Sequence, residues 1–257
     1  DSTVEISKKI NNANSKFING VLRSVIKNKN KIKFKDNFLD LPNWFVNKFK
    51  YWDINKKIFF TKTIKEKPSL HIVFKKKYKI NNCILEGIKT SKHSMILSAS
   101  DKIEKVNGYK EGLWWVQDFS TMLPLLIFGN LKNKLCIDMC AAPGGKTFQA
   151  INKGAVVESY EINEKKVILM KKNLKRLNYS NKIINEDITK IKLKKKFDVV
   201  LLDAPCSAIG TIRRNPEIFY RKNSPNFKNI ISIQNKLINK AKTLVNKKGI
   251  ILYMVCS

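Results

Sequence analysis

The stretch Leu135–Thr147, LCIDMCAAPGGKT, decides the fold. It opens on a short apolar run, LCIDMC at 135–140, of the kind that forms a buried strand. It then breaks into a Pro-Gly-Gly turn at 143–145 and passes into a helical pattern from about Thr147. Strand, glycine turn and helix in immediate succession form the unit from which parallel α/β sheets are built.

The same alternation repeats outward. AVVESY (155–160), KIINE (182–186), FDVVLLDAP (197–205) and GIILYMVCS (249–257) read as four further strands. Residues 163–177 form an amphipathic helix that Asn163 can cap, and 229–245 form another. Upstream, Asp118 can cap a helix running through Phe128. These elements predict a Rossmann-like, doubly wound α/β sheet, with the usual order of strands 3-2-1-4-5. Ligands bind such sheets at the carboxyl ends of the strands. That edge is expected to carry, in spatial order, Asp187, Glu161, the glycine loop, Asp203 with Cys206, and then Cys256. Neighbouring strands lie roughly 5 Å apart, so the two cysteines are expected to face each other beside the loop.

The residues before 116 follow another pattern. An amphipathic helix over 16–27 gathers Phe17, Val21, Leu22, Val25 and Ile26 on one face. Residues 41–52 read as a helix opened by Pro42, and SLHIVF (69–74) and NNCILEGI (81–88) as short strands. The expected division is the end of a helical unit over 1–30, a small α+β unit over 31–115, and the main domain over 116–257. The chain opens at Asp1 without a Met and stops at Ser257 on an apolar run, which reads as a fragment.

Composition narrows the function. Hydrophobic residues make up 43% of the 257, enough for a packed core. No run of about 18 apolar residues predicts a membrane span, and no signal peptide is visible. The net charge of +31 suits a polyanionic partner. A composition rich in Lys and Asn accounts for part of it, and runs such as 75–77 and 194–196 read as solvated faces. The five cysteines include no CxxC pair, and His71 and His93 lie far from the informative ones. Neither a disulfide framework nor a metal site is expected.

The glycine loop suits a nucleoside-containing ligand. Gly144 and Gly145 let it approach the backbone, the following helix offers N–H groups, and Glu161 can accept from ribose hydroxyls. A P-loop would need Gly where Cys140 stands, and no GxGxxG supports a dinucleotide. Cys83 and Cys136 read as core residues and Cys140 as packing in the loop. Cys206 and Cys256 stand where the sheet puts its site, with a structural role as the alternative.

CAAPGGKT (140–147), DAPCS (203–207), GTIRRNP (210–216), the terminal CS (256–257) and the approach WVQD (115–118) together resemble the RsmB/Nop2/Sun family of RNA cytosine-C5 methyltransferases. The resemblance is strong over 110–257. At FINGVLR (17–23) and LPNW (41–44) it extends more faintly toward the bacterial branch that modifies small-subunit rRNA and carries a NusB-like RNA-binding domain. It implies that S-adenosylmethionine binds Cys140, Ala141, Ala142, Pro143, Gly144, Gly145, Lys146, Glu161, Asp187 and Asp203. It implies Cys256 as the nucleophile, Cys206 in product release, Arg213 and Arg214 as RNA contacts, and residues 31–115 as an RNA-positioning unit.

The residues alone do not choose the attacking cysteine, because DNA cytosine methyltransferases use the one in a Pro-Cys motif. The implied substrate is a cytosine of 16S rRNA before full subunit assembly, and the implied protein a cytoplasmic monomer. A basic RNA-binding scaffold with a degenerate catalytic domain is the alternative. Glu161, Ala208 and Val255 depart from the family's usual Asp, Gly and Thr. The hairpin that usually completes the family's sheet has no residues here.

Overall fold

The computed structural model describes residues 2–10, 12–31, 41–78, 85–98, 102–221 and 223–256. Two compact units divide the chain, Asp1–Thr63 and Ile64–Ser257. This division differs from the three segments expected at 30/31 and 115/116.

The first unit is helical. Helix α1 spans Ser2–Ile10 and α2 spans Ser15–Lys27, the latter matching the amphipathic helix expected over 16–27. The single helix expected over 41–52 is corrected to a shorter α3, Asn43–Lys48, followed by a turn and by α4, Ile54–Lys65. The cause is aromatic packing. Phe45 is buried against Phe49 (centroids 4.6 Å) and Phe60 (5.3 Å), and Trp52 closes on Phe60 at 5.6 Å. The Asp53 carboxylate then accepts from Lys56 N at 2.8 Å and starts the new helix.

The second unit holds two sheets. The smaller contains β1 (Leu70–Phe74), β2 (Gly87–Ser91), β3 (Ser94–Leu97) and β4 (Trp114–Val116), in the order β2-β3-β1-β4. SLHIVF is thus a strand as expected. Of NNCILEGI, residues 81–84 with Cys83 lie outside the described residues, and the strand begins at Gly87.

The larger sheet follows α5 (Phe119–Phe128). It runs β5 (Leu135–Asp138), α6 (Gly145–Asn152), β6 (Val156–Tyr160), α7 (Glu164–Leu177), β7 (Lys182–Ile184), β8 (Phe197–Asp203), α8 (Phe227–Leu244) and β9 (Val245–Met254). The strands are parallel in the order β7-β6-β5-β8-β9, which is the 3-2-1-4-5 arrangement expected.

Strand period explains the core. Val200 and Leu202 point to one face with Ile137, where Leu237, Ala241 and Leu244 of α8 cover them. Val199 and Leu201 point to the other with Cys136, covered by Leu125 of α5 and Ala150 of α6. Asn163 caps α7 as expected, its side chain accepting from Lys166 N at 3.1 Å. Asp118 precedes α5 but makes no side-chain cap, because its carboxylate pairs with Arg214 instead.

Val73 and Trp115 of the small sheet pack with Met122, Ala141, Ala142, Phe148 and Met170 of the large one. Arg176 donates from Nη1 to Tyr109 O (2.7 Å) and Trp114 O (3.0 Å), and Lys75 Nζ donates to Leu177 O (2.6 Å). The seam expected at 115/116 therefore lies inside one packed body.

Candidate active site

The register of β8 on β9 pairs Asp203 with Met254, and Ala204 N donates to Met254 O at 2.9 Å. Just beyond these strand ends the chain delivers Cys206 and Cys256 to one spot. Their Sγ atoms lie 3.0 Å apart, and Cys256 N donates to Cys206 Sγ at 3.3 Å. A disulfide would need about 2.05 Å. Burial, then the hydrogen bond and charge of Cys206, then Asp203, push the Cys256 thiol above its ordinary value. Gly210 N donates to Cys256 O at 3.0 Å and holds the connection after Cys206 against the end of β9. That connection turns at Ala208, which takes a left-handed φ of 61°. The residue type explains why glycine suits this position better.

The glycine loop is built as its sequence requires. Gly144 has φ +114°, and a Cβ there would stand 2.1 Å from the Phe148 ring. Helix α6 begins at Gly145, two residues earlier than expected, and leaves its first amides without intrahelical partners. Lys146 Nζ reaches across to Asp203 Oδ2 at 2.5 Å. Glu161 is buried beside the loop, with one carboxylate oxygen on Ala142 N (3.3 Å) and the other on Asn163 N (2.9 Å). Asp187 Oδ1 accepts from the amide (3.0 Å) and hydroxyl (2.7 Å) of Thr189, and the hydroxyl bond above all holds its carboxyl below the usual value.

One residue escaped the sequence reading. Asp138, the last of β5, accepts from Thr147 Oγ1 through Oδ2 at 2.7 Å, while its Oδ1 is buried with no hydrogen-bond partner. Burial pushes its carboxyl up to about 6. Its signal was its position directly ahead of the loop, where a strand end points into the ligand edge.

Two cavities meet at Lys146 and Asp203. The smaller, about 170 Å³, is lined by Gln117, Asp138, Gly145 and the Cys140–Pro143 loop. An unpartnered buried acceptor at its wall fits a cationic group such as the ammonium of an amino acid. The larger, about 800 Å³, reaches Cys256, His71, Phe119 and both Arg213 and Arg214. Arg214 is held by Asp118 and by Ser69 O (3.0 Å), and Arg213 by Lys67 O (3.4 Å) and Glu66 (3.6 Å). The structure thus brings together Cys206, Cys256, Asp203 and Lys146, with the loop beside them. Glu161 and Asp187 line neither cavity. Ser257 lies outside the described residues.

A parallel sheet of this order, with a glycine loop after its first strand and acidic strand ends, defines a Rossmann-like α/β domain, and the match to a methyltransferase family model places it in the Rossmann-like methyltransferase class. The chain belongs to the family described as 16S rRNA methyltransferase RsmB/F, whose family model matches residues 126–257. It is 32% identical over 155 residues to ribosomal RNA small subunit methyltransferase B of Photorhabdus laumondii, covering 58% of this chain and 36% of that protein. It is 27% identical to the probable ribosomal RNA small subunit methyltransferase B of Bacillus subtilis, over 94% of this chain and 60% of that one. The chain therefore spans roughly a third to three fifths of the length of these relatives.

Among solved structures, the protein PH0851 superposes with a TM-score of 0.81 at 20% identity, covering 98% of this chain and 62% of that one. A methyltransferase homolog from Pyrococcus horikoshii gives 0.66 at 23% identity, covering 81% and 71%. These two likenesses establish the fold. Among the described residues no helix is long and apolar enough to cross a membrane.

Proposed function

We propose that this chain is the catalytic part of an S-adenosylmethionine-dependent methyltransferase that modifies C5 of a cytosine in small-subunit rRNA. The observation that carries the reading is the pair of thiols, Cys206 and Cys256, 3.0 Å apart beside Asp203. Methylation of most nucleophiles needs no thiol. C5 of cytosine is different, because it gains nucleophilic character only after a thiolate adds to C6.

S-adenosylmethionine supplies an electrophilic methyl group when bound. The loop Cys140–Lys146, with Asp138 at its base, suits the amino-acid end, and Glu161 and Asp187 suit the nucleoside side. The Cys256 thiol gives its proton to water and its thiolate adds to C6, forming a carbon–sulfur bond while the C5–C6 π pair moves onto C5, which would take the methyl as the donor's sulfonium–methyl bond breaks and a neutral thioether leaves. The C5 proton then leaves to a base, the ring re-forms its double bond, and the sulfur departs. Cys206 serves this release from its position against Cys256. Asp203, held by Lys146, can hydrogen-bond the base edge and favour attack at C6. Arg213 and Arg214 line the larger cavity, where they can meet RNA phosphates.

The test is incubation of the protein with small-subunit rRNA and a labelled methyl donor, followed by nucleoside analysis. Label in 5-methylcytosine supports the reading. Label confined to another nucleoside, or none, overturns it.

A further inference from the structure

All strands of the large sheet run the same way, so their starts share the edge opposite Cys206 and Cys256. With β8 running Phe197–Asp203, the two edges stand about 20 Å apart. Their charges differ. On the carboxyl edge Glu161, Asp187 and Asp203 offset Lys146, Arg213 and Arg214. On the amino edge, Lys132 and Lys134 precede β5, the run 194–196 precedes β8, and Lys247 and Lys248 lie near the start of β9. The connecting segments 129–134, 153–155, 190–196 and 246–249 contain no Asp or Glu.

The fold gathers these lysines. Asp198 accepts from Leu135 N through Oδ2 and from Asn246 Nδ2 through Oδ1, each at 2.9 Å, which stitches the starts of β5, β8 and β9 together. The register jumps from Phe197↔Val245 to Val199↔Ile250, so residues 246–249 bulge out with Lys247 and Lys248 exposed. Lys195 pairs with Glu158 and Lys196 bonds Thr243 O. Lys134, Lys194, Lys247 and Lys248 are exposed and make no ion pair among the described residues. A lysine-rich composition supplies cations to every surface, including α7, but on this edge the acids are already engaged, Asp198 by Leu135 N and Asn246 Nδ2 and Glu158 by Lys195, and the connecting segments add none.

We propose that this amino edge is a second RNA-binding surface, which holds the phosphate backbone of the substrate about 20 Å from the reacting cytosine. The proposal rests on the RNA substrate argued above. Ammonium groups act as point charges without base readout, so the surface tethers the RNA and leaves specificity to the catalytic edge.

The test compares two quadruple variants of the protein. One carries Lys134→Gln, Lys194→Gln, Lys247→Gln and Lys248→Gln. The comparator carries Lys165→Gln, Lys171→Gln, Lys172→Gln and Lys175→Gln on exposed positions of α7. Binding of an rRNA fragment is measured across a salt series. The amino-edge variant is expected to lower the slope of log K against log salt by about three, and the comparator by less than one. KM for methylating the long RNA is expected to rise about tenfold at unchanged kcat, whereas KM for a trinucleotide, too short to reach the edge, stays the same.

An unchanged salt slope, or an equal loss in the comparator, overturns the proposal. So does loss of binding to phosphatidylserine vesicles with RNA binding intact, which assigns the edge to a membrane surface. Absence of any methyl transfer contradicts the proposed function alone, because the salt slope still decides the tether.

Discussion

Cys206 and Cys256 lie just beyond the ends of adjacent parallel strands with their sulfurs 3.0 Å apart, and the Cys256 amide donates to Cys206 Sγ. The pair is held by backbone on both sides, through Ala204 N on Met254 O and Gly210 N on Cys256 O. Two thiols in such contact cannot both ionise easily, and burial adds to the penalty.

That arrangement sets the pH dependence. The Cys256 thiol titrates above its ordinary value, first through burial and then through Cys206 and Asp203. Only the thiolate attacks, and below its pKa the thiolate fraction grows tenfold per pH unit. The logarithm of kcat/KM is therefore expected to rise with a slope of about one between roughly pH 6.5 and 8.5. A profile flat across that window contradicts Cys256 as a high-pKa nucleophile.

Asp138 opposes stability for the sake of the site. Its folded value of about 6 lies above the ordinary 3.8, so the folded state holds the proton more tightly than the unfolded chain does. The penalty is absent below about pH 4, grows as pH rises, and is complete above about pH 6, at up to about 3 kcal/mol. Asp138→Asn keeps an acceptor for the Thr147 hydroxyl, so denaturant melts are expected to show a gain at pH 7.5 and little change near pH 4. Calorimetry is expected to show weaker S-adenosylmethionine binding, by about tenfold or more.

Gly144 and Gly145 are adjacent but unlike. A methyl on Gly144 collides with Phe148 at 2.1 Å and sits at φ +114°, whereas one on Gly145 meets Gln117 at an ordinary 3.6 Å. Gly144→Ala is expected to destabilise by about 2 kcal/mol or more in thermal melts. Gly145→Ala is expected to melt near the wild type and to lose affinity for the methyl donor, because it lines the smaller cavity.

Ala208 carries backbone strain beside the thiols, at φ 61° and ψ 15°. Ala208→Gly is expected to raise stability by about 0.5–1 kcal/mol with methyl transfer retained. A loss of stability would mean that the surrounding contacts, rather than the left-handed turn, decide this position.

Much of this was legible before the structure. The parallel sheet follows from the alternation that starts at LCIDMC, and the meeting of Cys206 with Cys256 follows once the usual strand order of such sheets is assumed. Asn163 caps its helix through a partner three residues away, Lys166 N, which the local sequence reports. Asp118 does not, because Arg214, 96 residues away in sequence, takes its carboxylate. No local pattern reports such a pair. The split between α3 and α4 was hidden for a similar reason, since Phe45 meets Phe60 only after the turn is made. Asp138 was passed over because a lone acid at a strand end looks ordinary until its Oδ1 proves buried and unpartnered.

The division of labour between the thiols is the central claim, and trapping the RNA adduct tests it most directly. Cys206→Ala and Cys256→Ala are each incubated with small-subunit rRNA and methyl donor, then resolved by denaturing electrophoresis. Cys206→Ala is expected to accumulate a covalent protein–RNA band and Cys256→Ala to form none. A band with Cys256→Ala and none with Cys206→Ala would contradict the assignment and exchange the two roles.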